Sequence, residues 1–209
     1  MSLRVSRHPL VQHKLGLLRR QDTSPWIFRR LVHELTLLLI YEATDDLRLR
    51  SEAVETPLEQ TEVRTLSQRV GFAPILRAGL GMVEAALEML PTADVRHLGM
   101  YRDHITLSPV EYYQRLTGTP PADVYLILDP MLATGQSAVH AVELLRRWGV
   151  STVKFIGLIG APEGADCLLG AFPDVDVHLA ALDRQLNSSG YILPGLGDAG
   201  DRQFGTISL

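Results

Sequence analysis

The clearest pattern of hydrophobic and polar positions lies between residues 124 and 149. Val124–Leu128 is a short apolar run rich in strand-forming residues, and Asp129 follows it directly, as at the carboxyl end of a buried parallel strand. From Ser137 onward, apolar residues recur at helical spacing until Gly149, which is placed to end a helix. The pattern therefore predicts a strand, a loop and a helix in succession.

The same succession repeats along the chain. Further strands are predicted over residues 70–76, 94–100, 153–161 and 175–183, and further helices over residues 25–42, 82–90 and 162–172. Such alternation predicts an α/β fold in which right-handed crossovers place helices on both faces of a parallel sheet. Ligands of such sheets bind outside the carboxyl ends of the strands, where Arg77, Arg102 and Asp129 fall.

Four segments lack this regularity. Residues 1–22 are polar and mixed, and are expected to form an N-terminal arm rather than core. Residues 45–69 alternate charged and small apolar groups, which suggests short extended and helical connections with a solvated face. Residues 101–121 are polar and too long for a plain connector, which favours a lid or arm. Residues 184–209 are dense in Gly, Pro and Asp and have no strand or helix period.

The helix predicted over residues 25–42 is apolar on most of its surface between residues 35 and 41. A surface helix needs one apolar stripe, so a helix of this kind must be covered twice, by its own sheet and by another element. We expect the second cover to come from another subunit, which favours a homodimer or a higher homo-oligomer.

The overall composition narrows the functional classes. With 209 residues, of which 46% are hydrophobic, the chain is expected to form a single domain over residues 1–209. A net charge of -4 argues against nonspecific binding to nucleic acid, which needs a basic face. The longest apolar stretch, residues 35–41, is too short to span a bilayer. We therefore expect neither nucleic acid nor membrane as a partner.

Cysteine and histidine usage suggests a reducing setting. The single cysteine, Cys167, cannot form an internal disulfide, and no secretory signal pattern is present, so a cytoplasmic location is expected. The Cys167 thiol is expected to be buried and inert. The seven histidines have no metal-ligand spacing with one another or with Cys167, so no protein metal site is predicted.

The loop before the predicted helix at Ser137 has the features of an anion site. Thr134 and Ser137 supply hydroxyls and Gly135 allows close approach, where the first backbone N–H groups of a helix have no internal partner. Asp129 would repel a phosphate but suits the hydroxyls of a sugar. A ribose phosphate is therefore the predicted ligand, with an ordinary helix cap as the alternative. The loop matches neither the Walker motif nor the dinucleotide-binding motif.

A second glycine-rich turn follows the strand predicted over residues 70–76. Arg77 stands at its start, and a guanidinium fork there suits a bound diphosphate. Gly79 and Gly81 resemble part of a dinucleotide fingerprint, but Glu84 occupies the place of the third glycine. The turn is therefore expected to expose backbone amides to a different ligand.

The glycines of residues 184–209 also match a dinucleotide spacing, but Pro194 and the few residues that follow disfavour that interpretation. A rigid turn whose main-chain groups face a flat heterocycle explains the small residues better. Fixed main-chain donors and acceptors in such a turn would select one base by its hydrogen-bonding pattern and reject others. Asp198 and Asp201 contribute to the ligand site or cap the turn.

The stretch DPMLATGQS resembles the PRPP-binding motif of the type I phosphoribosyltransferases, and its Asp129-Pro130 pair is typical of the uracil branch. Gln136 departs from the glycine usual at its position. By this resemblance Asp129 holds ribose hydroxyls, and the loop holds the 5′-phosphate. The residues implied to bind PRPP here are Asp129, Pro130, Met131, Leu132, Ala133, Thr134, Gly135, Gln136 and Ser137.

Three further motifs occur along the chain in the same order as in that family. RAGLGM and MYRD resemble segments that carry two PRPP-contacting arginines, here Arg77 and Arg102, and residues 101–121 correspond to the flexible loop over the active site. Tyr112 and Tyr113 either pack on that closed loop or a neighbouring subunit, or are ordinary hairpin residues. YILPGLGDAGDR resembles the uracil-binding segment, a hood over the base. The residues it implies for the base are Ile192, Gly197, Asp198 and Ala199, with Asp198 also reaching PRPP.

The resemblance implies transfer of the 5-phosphoribosyl group from PRPP to uracil, giving UMP and diphosphate, as in pyrimidine salvage. Arg102 and Asp198 are the implied catalytic residues, Mg²⁺ would arrive with PRPP, and GTP is an effector of some members. Two other functions stay open at this stage. One is a regulatory RNA-binding protein on the same fold, and the other is a phosphoribosyltransferase acting on a purine or on orotate.

Overall fold

The computed structural model describes residues 2–102 and 109–206 of the chain. The helices are α1 (Pro9–Arg19), α2 (Pro25–Ala43), α3 (Leu80–Met89), α4 (Gln136–Trp148), α5 (Pro162–Ala171) and α6 (Ala199–Phe204). The strands of the first half are β1 (Ser2–Val5), β2 (Leu49–Glu55), β3 (Gln60–Leu66), β4 (Val70–Leu76), β5 (Asp94–Val95) and β6 (Leu98–Arg102). Those of the second half are β7 (Pro109–Tyr113), β8 (Val124–Leu128), β9 (Met131–Leu132), β10 (Thr152–Gly160), β11 (Asp176–Leu182), β12 (Gln185–Leu186) and β13 (Ile192–Leu193).

The main sheet has the order β1-β11-β10-β8-β4-β6-β7, with β5 beside β4 and β9 beside β10. All neighbours are parallel except β6 and β7. One hydrophobic cluster joins α1, α2 and α3 to the sheet, and a second joins α4 and α5 to it. The predicted α/β fold, with a parallel sheet flanked by helices, is therefore confirmed.

The central strands explain why the sequence pattern was informative. Every residue of β8 is buried, and β4 is buried over all but its last residue. Strands covered on both faces become continuous apolar runs, so β4 and β8 were found at their observed bounds. Their parallel register pairs Pro74 with Leu128, so the residues after both strands, Arg77 and Asp129, lie at the same edge of the sheet.

The prediction of an arm outside the core is wrong for residues 2–22. β1 pairs with β11 at the edge of the main sheet, and α1 buries Val11, Leu15 and Leu18. These three positions are spaced by four and three residues, which is one face of a helix. The polar residues between them concealed a short amphipathic pattern.

Residues 45–69 also differ from the prediction. Instead of short extended and helical connections, β2 and β3 form one antiparallel hairpin, in which Leu49 pairs with Leu66 and Glu55 pairs with Gln60. Both strands are exposed along most of their length. A ribbon with no buried face has no reason to alternate apolar and polar residues, so the usual strand signal was missing.

The segment predicted as a structureless lid over residues 101–121 begins with regular structure. β6 continues to Arg102, and β7 returns antiparallel to it. Tyr112 and Tyr113 are therefore strand residues of a hairpin, which was one of the two alternatives. Residues 103–108 of the predicted loop lie outside the described part of the chain.

The second cover of α2 comes from the same chain. Its buried face packs against α1, α3 and α6 on one side and against β10 and β11 on the other. The expectation that another subunit covers this helix is therefore wrong as an explanation of its composition. Within residues 2–102 and 109–206, no helix combines the length and the apolar character needed to cross a membrane.

Candidate active site

The predicted anion loop comprises residues 133–137 and runs from the end of β9 into the start of α4. We call it the α4 loop. The helix begins at Gln136 and is capped by Gly135, which has a φ of 80° and makes no side-chain capping bond. Among the described residues, the Thr134 and Ser137 hydroxyls have no hydrogen-bond partner. An ordinary capping role for these hydroxyls, the alternative considered from the sequence, is therefore not what the structure shows. Hydroxyls and helix N–H groups remain available to an anion.

Gly135 is required for a reason that the sequence did not reveal. A Cβ atom at this position would lie 2.5 Å from the Gly164 carbonyl oxygen and 2.9 Å from the Cys167 Cβ of α5. Together with the positive φ, this packing excludes a side chain whether or not a phosphate is bound. Cys167 itself is exposed beside the loop, so the expectation of a buried thiol is wrong.

A cavity of about 120 Å³ lies on this loop. It is lined by Asp129, Met131, Leu132, Ala133, Thr134, Gly135, Ser137 and Ala138. Two residues of the predicted set lie outside the lining. Pro130 is buried and its carbonyl accepts bonds from the Leu158 and Ile159 N–H groups, whereas the side chain of Gln136 is exposed. Pro130 therefore ties the loop to β10, and the Gln136 side chain does not line the cavity.

Asp129 lies directly after β8 at the rim of this cavity. Its carboxylate accepts one long bond, 3.5 Å, from the Met131 N–H group. Burial raises the pKa of Asp129 to about 7, and the negative charge of Asp198 adds to this effect. A carboxylate with so few protein donors is suited to accept hydrogen bonds from ligand hydroxyls. Its electrostatic coupling to Asp198, far away in sequence, was not foreseen.

The second glycine loop follows β4 and includes a cis peptide bond between Leu76 and Arg77. A Cβ atom on Gly79 would overlap the Leu128 carbonyl oxygen, and one on Gly81 would overlap the Gln203 side chain. These glycines therefore let the loop pack against β8 and α6. Arg77 is exposed, and its guanidinium donates to the Asp201 carboxylate at 3.5 Å.

The C-terminal segment is more regular than its composition suggested. β12 pairs with β13, the Leu193–Pro194 peptide is cis, and Gly195 and Gly197 have φ values of 66° and 80°. Asp198 then caps α6, accepting a bond of 2.8 Å from the Asp201 N–H group. This is the capping role considered as an alternative for Asp198, and it occupies one of the two carboxylate oxygens.

α6 connects the C-terminal segment to the loop after β4. The Gln203 side-chain amide is fully buried and donates to the Ala78 and Ala199 carbonyls at 3.1 and 3.0 Å. Asp198 thus lies near both Asp129 and the Arg77 loop. Of the residues predicted to contact a base, Ile192 and Ala199 are buried, whereas Gly197 and Asp198 are exposed.

A larger cavity of about 590 Å³ borders residues 194–198, which we call the C-terminal turn. Its walls combine that turn and the adjoining α6 with Arg19 and Gln21, which lie at and just after the end of α1. It is lined by Arg19, Gln21, Tyr191, Pro194, Gly195, Leu196, Gly197, Asp198, Asp201 and Arg202. Arg19 and Arg202 were not identified from the sequence, because an isolated arginine carries no signal of what it touches in the fold.

Arg102 is the last residue of β6. Its backbone belongs to β6, where it pairs with Pro109 of β7, and its side chain is outside the described part of the structure. β6 lies next to β4 in the sheet, on the far side from β8. The position of the Arg102 guanidinium relative to the two loops thus stays a prediction.

Comparison with known proteins identifies the class first. The fold matches that of an adenine phosphoribosyltransferase from Thermoanaerobacter pseudethanolicus with a TM-score of 0.50 at 10% identity, over 72% of this chain and 80% of the other. The fold is therefore one that is found among the phosphoribosyltransferases. The chain belongs to the uracil phosphoribosyltransferase family, because the family model for uracil phosphoribosyltransferase matches residues 5–206.

Two relatives support the assignment. The chain is 58% identical over 202 residues to a uracil phosphoribosyltransferase of Roseiflexus castenholzii, a match that covers 97% of each chain. It is also similar to the solved structure of the AQ2163 protein from Aquifex aeolicus, with a TM-score of 0.93 and 38% identity over 100% of both chains. The similarity therefore includes the segments that the sequence pattern left unassigned.

Proposed function

We propose that the chain transfers the 5-phosphoribosyl group from PRPP to uracil, giving UMP and diphosphate in pyrimidine salvage. The observation that carries this proposal is the position of the C-terminal turn. α6 joins it to the Arg77 loop through Gln203, and the charge of Asp198 acts on Asp129 beside the α4 loop. A base held at the turn would therefore lie next to a ribose held at Asp129.

A panel of bases tests this proposal. Incubation with PRPP and Mg²⁺ is expected to give UMP from uracil, with no nucleotide formed from cytosine, hypoxanthine or orotate. Preference for orotate or a purine would contradict the choice of base. Retention of RNA in a gel shift at physiological salt, without UMP formation, would instead favour an RNA-binding function.

The residues near the two loops have distinct roles in this proposal. The helix N–H groups and hydroxyls of the α4 loop hold the 5′-phosphate, and Asp129 accepts bonds from the ribose hydroxyls. Arg77 and Arg102 offset the charge of the departing diphosphate while the ribose carbon becomes oxocarbenium-like. Main-chain groups at Ile192, Gly197 and Ala199 hold uracil, and no covalent nucleophile is required. Positioning and charge neutralisation then account for the chemistry.

Removing the Arg102 guanidinium should slow the reaction strongly. Arg102→Ala is expected to lower kcat by about 100-fold, because a lost contact to developing charge is felt mainly in the transition state. The measurement is turnover of labelled uracil at saturating PRPP. Arg147→Ala, which removes an exposed arginine at the C-terminal end of α4, is the matched control and should leave kcat unchanged. An unchanged rate for Arg102→Ala would remove this residue from the mechanism.

Asp198 is proposed to orient the base or the ribose with the carboxylate oxygen that does not cap α6. Asp198→Asn keeps the cap, since Asn and Asp cap helices about equally, but removes the charge. We expect kcat to fall by about 10- to 100-fold while the unfolding temperature stays within roughly 2 °C of the wild type. Kinetics and thermal unfolding on one preparation measure both. An unchanged kcat would show that Asp198 only caps the helix.

We propose that Mg²⁺ enters with PRPP. When bound, it would neutralise diphosphate oxygens and so assist their departure. Within residues 2–102 and 109–206, no three His, Cys, Asp or Glu side chains form a metal-binding group, so most ligands would have to come from the substrate. Asp129 and Asp198 supply the carboxylate chemistry that Mg²⁺ prefers. Chelation of Mg²⁺ should stop turnover, and activity that persists in excess chelator would count against the proposal.

We propose that the chain forms a homodimer or a higher homo-oligomer through the hairpin of β2 and β3. An isolated two-stranded hairpin is marginally stable in water, yet this one is exposed on both sides, and Leu58 at its tip is 95% exposed. A second subunit would supply the missing packing. Light scattering is expected to give at least twice the chain mass. The mass of a single chain would contradict this.

Two further properties follow from the family resemblance. We propose that GTP is an effector, and that it raises the rate of UMP formation at low uracil concentration; identical rates with and without GTP would contradict this. We also propose a cytoplasmic location, which suits an exposed free thiol such as that of Cys167. Cell fractionation followed by immunodetection checks the location.

A further inference from the structure

We infer that Arg19 and Asp183 are positioning residues that hold the C-terminal turn in the conformation that binds uracil, although neither is required to touch the base. This inference rests on the proposed function and names residues that lie outside the four motifs of the family resemblance. Arg19 is the last residue of α1, and Asp183 directly follows β11. They come together over a sequence separation of 164 residues.

The two side chains form a closed set of hydrogen bonds with one residue of the turn. The Arg19 guanidinium donates to both carboxylate oxygens of Asp183, at 2.8 and 2.5 Å. Arg19 also donates to the Gly195 carbonyl at 2.7 Å, and Asp183 accepts a bond of 2.9 Å from the Gly195 N–H group. Both main-chain polar groups of Gly195 are therefore held by the same ion pair.

The adjoining residues show what this arrangement leaves available. The Leu196 carbonyl accepts a bond of 2.8 Å from Arg202, and the Leu193 carbonyl accepts one of 3.0 Å from the Arg184 N–H group. By contrast, the main-chain groups of Gly197 have no hydrogen-bond partner within the described residues. Gly197 is one of the residues expected to contact uracil. The ion pair thus fixes the turn through Gly195 and leaves the main-chain groups of Gly197 free to bind the base.

Because the Arg19–Asp183 ion pair is largely buried, its stability depends closely on its hydrogen-bond geometry. The Asp183 side chain is only 5% exposed, and that of Arg19 is 23% exposed. A planar guanidinium can satisfy two carboxylate oxygens and a carbonyl at once, whereas an ammonium group of the same charge cannot reproduce that fork. Arg19→Lys therefore preserves the charge balance but loosens the turn. Complete removal of Arg19 would leave a buried carboxylate without a cation and endanger folding.

The test is the effect of Arg19→Lys on the two substrates separately. We expect KM for uracil to rise by about 10-fold and KM for PRPP to change by less than about 2-fold, because only the base-binding turn moves. The preference for uracil over cytosine, as a ratio of kcat/KM values, should fall as well. Calorimetric titration with PRPP on the same sample shows whether the variant is folded and its phosphate loop intact.

The adjacent arginine provides the control. Arg20 pairs with Asp22 on the surface, where the two side chains are 61% and 70% exposed, so Arg20→Lys should leave both KM values unchanged. The inference would be overturned if Arg19→Lys had no effect, or if it raised both KM values equally with weaker PRPP binding. A wild-type chain that forms no UMP at all would instead refute the proposed function.

Discussion

Gly135→Ala is expected to lower kcat/KM for PRPP by at least about 100-fold, the largest effect anticipated for one methyl group in this chain. The φ of 80° costs an alanine on the order of 1–2 kcal/mol. In addition, the new Cβ would lie 2.5 Å from the Gly164 carbonyl oxygen of α5, so the loop must move away from that helix. The N–H groups at the start of α4 would move with the loop and would no longer point towards the 5′-phosphate.

Gly170→Ala is the matched control for this experiment. Gly170 lies on α5, and a Cβ atom there would meet nothing within 4 Å. Because alanine favours the helix over glycine, this variant should keep full activity and gain up to about 1 kcal/mol of stability. Steady-state kinetics and calorimetric PRPP binding compare the two. PRPP binding by Gly135→Ala at wild-type strength would refute the assignment of this loop as the phosphate site.

Asp129→Asn is expected to lower kcat/KM by about 100-fold and, at the same time, to make the ligand-free protein more stable at pH 8. The activity falls because an amide cannot give the charge-assisted bonds that a carboxylate offers to ribose hydroxyls. The stability rises because burial disfavours the charged form of Asp129, whose pKa is raised to about 7. Asparagine carries no charge to bury.

The direction of the pH dependence follows from that raised pKa. An unfolded aspartate has a pKa near 3.9, so the folded chain holds this proton more tightly than the unfolded chain does. The stabilisation of the folded chain by this proton on Asp129 is complete below about pH 4 and is lost as the pH rises through about 7. The advantage of Asp129→Asn in unfolding temperature should therefore be largest at pH 8 and disappear towards pH 4.

The other end of the same strand supplies a control of opposite sign. Asp123 precedes β8, and the N–H group and guanidinium of Arg69 hold its pKa below the usual value. Asp123→Asn should therefore be slightly less stable than the wild type at pH 8 and fully active. Thermal unfolding between pH 4 and pH 8, with kinetics at pH 8, measures both variants. An Asp129→Asn protein that unfolds below the wild type at pH 8 would refute the burial argument.

Elements buried on both sides were predictable from local sequence. β4, β8 and the helix after them have continuous apolar runs or a helical period, with a glycine where the helix ends, and Gly149 indeed ends α4 with a φ of 105°. α1 and the β2–β3 hairpin were missed because each buries too little apolar surface to leave a clear pattern. α1 buries only a narrow stripe among polar residues, and the hairpin buries almost nothing.

The loop residues were easier to find than the reasons for them. Gly79, Gly81 and Gly135 were noticed as small residues suited to a ligand, but each is also required by a neighbour from another part of the chain: the Leu128 carbonyl, the Gln203 side chain and α5. A sequence pattern indicates that space is needed at a position. It does not say which distant atoms occupy that space.

By itself, the sequence determined the α/β alternation, the two glycine loops at strand ends, and Asp129 and Arg77 as residues beside them. Those features depend on local periodicity and on what one residue can do alone. Only the tertiary structure decided that Asp198 acts on the pKa of Asp129 and that Arg19 and Asp183 hold Gly195 from behind. Such interactions depend on distances between residues far apart along the chain, and those distances exist only after the sheet and helices have packed.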